Sequence, residues 1–516
     1  MSNKARTKFK GGVLIDDRRE TPVDRYQAVR QKILLLAAVL AVLAKLADLA
    51  GWIERFLADR PVRYGNIEEH FKYGSIGSEP GGSLFNAVGG LLPPYWIFKA
   101  LPKICSDKLP GGYASLGFIF ESGRDLPIGV SKRLRLGFEQ VGLNCAGCHT
   151  GTYRDEPNGE PHIVLGMPAH GLELQRFFRF VIDCTLDDRF NADNVIEKVG
   201  EVGGRLGIVD RFLYRAQLIS RIRETSRQLN GRIQILLSDQ VPAWGAGRVD
   251  TFNPYKAIQF HWDLKALPAE ELTGAADFPS LWNQKPRDGM QLHWDGNNNS
   301  VDERNLSAAL GAGVTPVTVD HRRLQRVRNW IWTLPPPKYP YATDAALAAK
   351  GRDLYAYYCA SCHDFDGSQV GRVEPISEIN TDPRRLNSYT YIFAANQYTL
   401  YPDSKYRFVH FRKTNGYANQ PLDGVWARAP YLHNGSVPTL RALLEPPEKR
   451  PAEFFRGYDF YDRKNVGFVS NVAEAKGRRF FKYNTKTAGN GNGGHLYGTK
   501  LTSEAKDALV EYMKTL

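Results

Sequence analysis

Two pentapeptides share one pattern, Cys145-Ala146-Gly147-Cys148-His149 and Cys359-Ala360-Ser361-Cys362-His363. Two thiols three positions apart can each take up one vinyl group of a porphyrin, and the next histidine reaches the iron from beneath the ring. This spacing is that of covalent c-type haem attachment. With six cysteines and eleven histidines in 516 residues, one chance occurrence is expected at roughly 0.0015 per chain, so two are not an accident. Zinc sites and thioredoxin-like pairs also use Cys-x-x-Cys, but neither needs a histidine in the next position both times. The expectation is two covalently bound c-type haems, carrying iron, attached at Cys145, Cys148, Cys359 and Cys362, with His149 and His363 as proximal ligands.

What each haem can do depends on the other face of its iron. One protein ligand leaves room for dioxygen or peroxide, whereas two restrict the iron to passing electrons. The candidate second ligand of the C-terminal haem is His495, in Asn490-Gly491-Asn492-Gly493-Gly494-His495. Glycines there let the backbone approach the porphyrin and aim the imidazole; an exposed loop histidine is the competing reading. Met167, Met290, His162 and His170 are weaker candidates at the first haem, and Met513 falls on the apolar face of a helix and belongs to the core.

The elements that must position these groups are partly legible. Pro335, Pro336, Pro337 and Pro340 stop a helix expected over 321–333 and read as a domain linker. After them, Thr343 and Asp344 can cap a helix over 345–358 that delivers the second motif. Thr502 and Ser503 can cap a last helix whose Ala505, Leu509, Val510, Met513 and Leu516 share one face. Gly- and Pro-containing segments between 60 and 130 read as loops around a short helical core, and no internal repeat is visible beyond the two motifs. The fold class expected is mainly α: two cytochrome c-like haem domains with extensive loops, at 61–334 and 341–516, preceded by a hydrophobic anchor or signal within 1–60.

That first segment carries Lys4, Arg6, Lys8, Lys10, Arg18, Arg19, Arg25, Arg30 and Lys32, then an apolar run over 33–44 that Lys45 interrupts. Positive before apolar is an export pattern. Twelve apolar residues suit a signal core, while 46–53 lengthens the run toward a membrane anchor, the reading preferred for 33–53. Either places the haem-bearing body in the periplasm. A net charge of +13 then favours acidic redox partners or an anionic membrane over nucleic acid, because haem is attached outside the cytoplasm. Cys105 and Cys184 are left over, to pair or to stay single.

Several stretches carry a family resemblance. Pro279-Ser280-Leu281-Trp282-Asn283 and Leu292-His293-Trp294-Asp295-Gly296 resemble segments of the bacterial dihaem cytochrome c peroxidases and the related methylamine-dehydrogenase maturation enzyme. That resemblance implies Trp294 as an electron relay between the haems. From about residue 120 onward, Trp244 to Pro254, Asn415-Gly416-Tyr417, Gln420-Pro421-Leu422-Asp423-Gly424 and Arg428 to Leu440 resemble the dihaem rubber oxygenases. This second resemblance implies a dioxygenase that holds dioxygen at the N-terminal haem, on His149, and has a bis-histidine C-terminal haem, on His363 and His495. The glutamate that dihaem peroxidases place shortly after Trp-Asp-Gly has no counterpart over 308–320, which implies an apolar pocket around 244–252 and 305–313 for an oily, unsaturated substrate. A peroxidase and a non-catalytic electron carrier are the alternatives. Arg428 and His433 are expected near the haem propionates, since a guanidinium fork matches carboxylates.

Overall fold

The computed structural model describes residues 9–10, 13–14, 22–79 and 92–516. Lys4, Arg6, Lys8, Arg18 and Arg19, and the part of the expected loop region over 80–91, lie outside the described residues. Helices carry most of the architecture. Strands are short and pair into ribbons of two, with one sheet of three.

Residues Pro22–Leu57 form a single helix. Lys45 and Asp48 do not break it, because the Leu- and Ala-rich sequence around them is strongly helix-forming. The stretch Tyr26–Leu57 is long and apolar enough to cross a membrane and is exposed along its apolar length. It fits a membrane anchor or a signal. Its 32 residues run about 48 Å at about 1.5 Å each, against a hydrocarbon core of about 30 Å.

The three-stranded antiparallel sheet joins Asp59–Pro61, Val130–Arg135 and Phe138–Leu143. Its hairpin turns through Leu136 and Gly137, both at positive φ (53° and 84°), the conformation whose twist matches two antiparallel strands. The last strand runs directly into Asn144 and the first motif. Around it, the helices Tyr95–Ile104, Leu174–Leu186 and Ala192–Glu201 bury an aromatic-rich core of Phe98, Tyr113, Phe177 and Phe190. Cys105 and Cys184 form a disulfide that ties two of these helices together. The pairing suits an exported chain.

In the C-terminal half, Asp344 accepts from the backbone N–H of Ala346 and Leu347 to start Ala345–Tyr358, and Thr502 caps Ser503–Met513. These two helices cross in contact. At the crossing a Cβ on Gly351 would lie 1.9 Å from the Ala508 carbonyl oxygen, so only glycine lets the backbones meet. Met513 is buried in this core. The expected helix before the prolines occupies His321–Ile331, capped by Asp320.

The stretch 334–340 does not separate two bodies. Trp426 donates its indole N–H to the Pro337 carbonyl at 2.8 Å, and the Asn283 N–H donates to Leu334 at 2.6 Å. Met167 and Trp282 share one core with Trp426, Tyr431 and Leu509, while Phe252 and Leu310 share another with Tyr389, Phe393 and Phe408. Both cores thus take residues from 61–334 and from 341–516. The prolines stop a helix, and Trp426 then holds the chain against the body as a seam.

Candidate functional site

Both Cys-x-x-Cys-His motifs sit on one short helical turn, Cys145–Cys148 and Ala360–His363. Asn144 starts the first: its Oδ1 accepts from the Ala146 N–H at 3.0 Å, and its Nδ2 donates to the carbonyls of Lys72 and Gly74. The histidines are held alike. His149 Nδ1 lies 2.8 Å from the Pro279 carbonyl oxygen, and His363 Nδ1 lies 2.8 Å from that of Gln420. A carbonyl forces Nδ1 to carry the proton and leaves Nε2 with a free lone pair, the tautomer a metal ligand needs. Burial depresses His149 to about 4 and lowers His363 as well, so both rings are neutral at physiological pH. Burial also keeps the thiols protonated, pushing Cys145 up to about 11 and Cys148 and Cys359 to about 12.

Beyond His363 stands a second imidazole. The rings of His363 and His495 have centroids 6.2 Å apart and planes inclined by 37°. That gap accommodates one metal ion with a nitrogen on each side at about 2 Å, the usual distance for first-row metals. His495 is set by its loop. The chain turns at Gly494 and His495, both at positive φ, and a Cβ on Gly494 would lie 2.2 Å from the Ile379 carbonyl oxygen. The buried Arg450 guanidinium donates to the carbonyls of Asn492, Gly494 and His495. Among the described residues His495 Nδ1 is buried without a partner, and burial, followed by the nearby His363, takes its pKa down to about 3.

His149 instead lines a cavity of about 660 Å³, together with Cys145 and Cys148. Much of its wall is apolar, with Phe178, Leu236, Trp244, Val249, Phe252 and Leu310. Its polar lining includes His293, Trp294, Asn297 and, among seven arginines, Arg287, Arg304 and Arg428. Asp423 pairs with Arg428 at 2.8 Å and with Arg287. Among the described residues Arg304 is in no ion pair, and its guanidinium donates to Asn305 Oδ1 at 3.3 Å. Burial, then Arg287 nearby, lowers Arg304 to about 10. The whole lining holds seven arginines against Glu224, Asp250 and Asp277, a surplus of positive charge that suits the two carboxylates of a porphyrin. Thiols, a free imidazole nitrogen, space and charge all fit a c-type haem.

The remaining expected residues fall as follows. Trp294 is on the cavity wall and donates its indole N–H to the Asp277 carbonyl at 2.8 Å. His433 is not on that wall; its Nε2 lies 3.0 Å from the Tyr417 hydroxyl, with the two rings stacked. None of Met167, Met290, His162 and His170 lines the cavity: Met167 is core, His170 stacks on Phe468, and His162 meets Asp155 at the surface. The cavity is not free of acid either. Asp277 lies on its wall, raised to about 6 by burial in spite of Arg456 at 2.7 Å.

A repeat absent from the sequence reading emerges in the backbone. Leu292 bridges Asn298, and Tyr431 bridges Val437, each across a seven-residue turn. The second residue has positive φ in both, His293 at 63° and Leu432 at 67°, and the fifth is a glycine, Gly296 at 64° and Gly435 at 63°. Trp294 and His433 hold the same third place. Each half's turn is tied to the other half's strand: Ala418 N–H donates to the Trp294 carbonyl at 2.8 Å, and Asp277 N–H to that of His433 at 2.9 Å. Ala418 and Asp277 each stand two residues before the carbonyl that holds a proximal histidine, Gln420 and Pro279 respectively.

Residues 416–456 match the family model described as RoxA-like, cytochrome c-like. The match supports the RoxA-like family, implies a c-type haem and suggests a haem-containing oxidoreductase. It spans Gln420, Arg428 and His433. The uncharacterized protein y4iM of Sinorhizobium fredii is 36% identical over 222 residues, 38% of this chain and 50% of that protein. The uncharacterized protein y4iJ of the same organism is 27% identical over 542 aligned residues, 82% of this chain and 87% of that protein. The chain thus spans half the length of y4iM and most of y4iJ.

Proposed function

We propose that the chain is a dihaem c-type oxidoreductase that uses dioxygen at its N-terminal site to cleave an unsaturated, apolar substrate, with its C-terminal site in electron transfer. The observation that carries this reading is the asymmetry between the sites: His363 faces His495 at 6.2 Å, whereas His149 lines a largely apolar cavity. A c-type haem, when bound, supplies a redox-active iron that takes up a small oxidant only where a coordination position is free.

On this reading Cys145, Cys148 and His149 hold the first haem, and Cys359, Cys362, His363 and His495 the second. Arg304, with Arg428 and Arg287, neutralises propionates at the first. The Pro279 and Gln420 carbonyls fix the proximal rings and raise their basicity. Phe178, Leu236, Trp244 and Phe252 exclude water and bind the apolar substrate by contact. Trp294 reaches the cavity with its side chain and is tied through its carbonyl to Ala418, next to the strand end that holds His363. That position suits a relay. Export by the N-terminal helix, into the periplasm, agrees with covalent haem attachment and with the disulfide.

The test is oxygen uptake by the reduced protein with an unsaturated hydrocarbon. Carbonyl products formed with dioxygen and no added peroxide are the expected result. Rapid peroxide consumption with a small electron donor, and no carbonyl product, would replace this reading with a peroxidase.

A further inference from the structure

The last turns of the N-terminal helix do more than end an apolar segment. The Asp48 carboxylate accepts from the Val209 N–H at 2.9 Å and so caps the short helix Ile208–Leu213. Arg55 reaches both oxygens of Asp210, at 2.8 and 3.0 Å, and its Nε donates to the Gly137 carbonyl at 3.4 Å. Trp52 packs over the Gly137 turn, where an added Cβ would touch the indole at 3.2 Å. Three side chains spaced along two turns fix the angle between the apolar helix and the body. A segment destined for removal needs none of them.

Beside these contacts the surface changes character. Ile208 and Phe212, one helical turn apart, are 55% and 66% exposed, on an element held against the Asp48 and Arg55 side of the apolar helix, whose Leu49 and Ile53 are exposed as well. From 205 to 232 the sequence carries seven arginines against Asp210 and Glu224, and Arg205, Arg211, Arg215 and Arg221 are exposed. Large apolar side chains flanked by exposed arginines form the chemistry of a bilayer's headgroup region, with the arginines answering anionic lipid. The helix then continues through Tyr214–Leu218 into Ile219–Ile233, whose exposed Arg221, Glu224 and Gln228 line the cavity.

We infer that Ile208–Leu213 is a second membrane contact, seated in the anionic headgroup region of the leaflet from which the N-terminal helix emerges. The inference rests on that helix being retained as an anchor. Phe212 precedes Arg221 by nine residues, about 14 Å of helix at about 1.5 Å each, so the docked turn holds the mouth of the cavity close above the bilayer. An apolar molecule dissolved in the leaflet then has a short path to it.

The experiment uses the full chain, haem loaded, in nanodiscs of phosphatidylethanolamine and phosphatidylglycerol. The photoreactive p-benzoylphenylalanine replaces Phe212, Ile208 or, for comparison, Tyr391, which is 69% exposed on the body. After irradiation, intact mass counts lipid adducts, a readout independent of turnover. The expected result is at least fivefold more adduct at Phe212 and Ile208 than at Tyr391, and less at both when phosphatidylcholine replaces phosphatidylglycerol. Equal yields at all three positions, or a mature chain whose mass lacks the N-terminal helix, would overturn the inference. Neither outcome bears on the oxygenase reading.

Discussion

At Cys145–Cys148 and at Ala360–His363 the chain repeats one device: a single helical turn carries the thiols, and a backbone carbonyl locks the histidine tautomer at 2.8 Å. Past the imidazole the two regions diverge. The C-terminal one supplies His495 on a glycine-rich loop clamped by Arg450, while the N-terminal one leaves a cavity of about 660 Å³. Even the matched turns differ where it counts, with an indole at Trp294 and an imidazole at His433 in the same backbone position. On the proposed reading, attachment and proximal ligation are a reusable module, and the element placed opposite them decides between storing electrons and meeting a substrate.

The most drastic way to break the comparison is to delete one module. Replacing Cys145 and Cys148 by serine is expected to cut covalent haem from two per chain to one and to abolish turnover, as a haemochrome assay and product analysis would report. Next, His495→Ala turns the closed site into an open one. Carbon monoxide bound by the reduced protein should rise from one to two per chain, with turnover falling on the order of tenfold as electrons reach the first site less readily.

A third change sharpens the comparison at the wall of the cavity. Burial alone would raise the Asp423 carboxyl, but Arg428 and Arg287 outweigh it and hold it below its ordinary range. A depressed carboxylate stabilises the fold above its unfolded pKa of about 4, and that stability is lost as pH falls through the lower folded value. Asp423→Asn removes the carboxylate that Arg428 and Arg287 share, leaving them only the propionates of the proposed haem, and is expected to cost about 1–3 kcal/mol at pH 7. Its denaturant midpoint should then fall less steeply below pH 4 than that of the parent. The smallest effect is expected of Trp294→Phe, which keeps the ring and loses the indole bond to Asp277. Both haem spectra should persist while electron transfer between the sites slows by about tenfold, read by stopped-flow reduction.

Much of this was legible where the determinants are local. Asp344 and Thr502 cap helices at the positions expected from their residue types, because a cap needs only a side-chain oxygen and the next few N–H groups. Met513 followed its periodicity into the core. Determinants set by distant chain were not legible. Nothing local says that Cys105 meets Cys184, or that Trp426 converts a proline-rich stretch into a seam. The paired turns over 292–298 and 431–437 share only their glycine at the fifth place. What repeats is a set of dihedral angles, which very different side chains satisfy. Arg304 and Asp277 carry no motif, and only the fold puts a buried arginine and a carboxyl raised to about 6 on one cavity wall. His293 belongs to the stretch Leu292–Gly296, yet its place on the wall goes with the positive φ of its turn.

The asymmetry between the two sites is tested most directly by titrating carbon monoxide into the dithionite-reduced, full-length protein and following the Soret band. Saturation at one carbon monoxide per chain is expected, with the remaining haem keeping a low-spin spectrum. Saturation at two, or no binding at all, would contradict it.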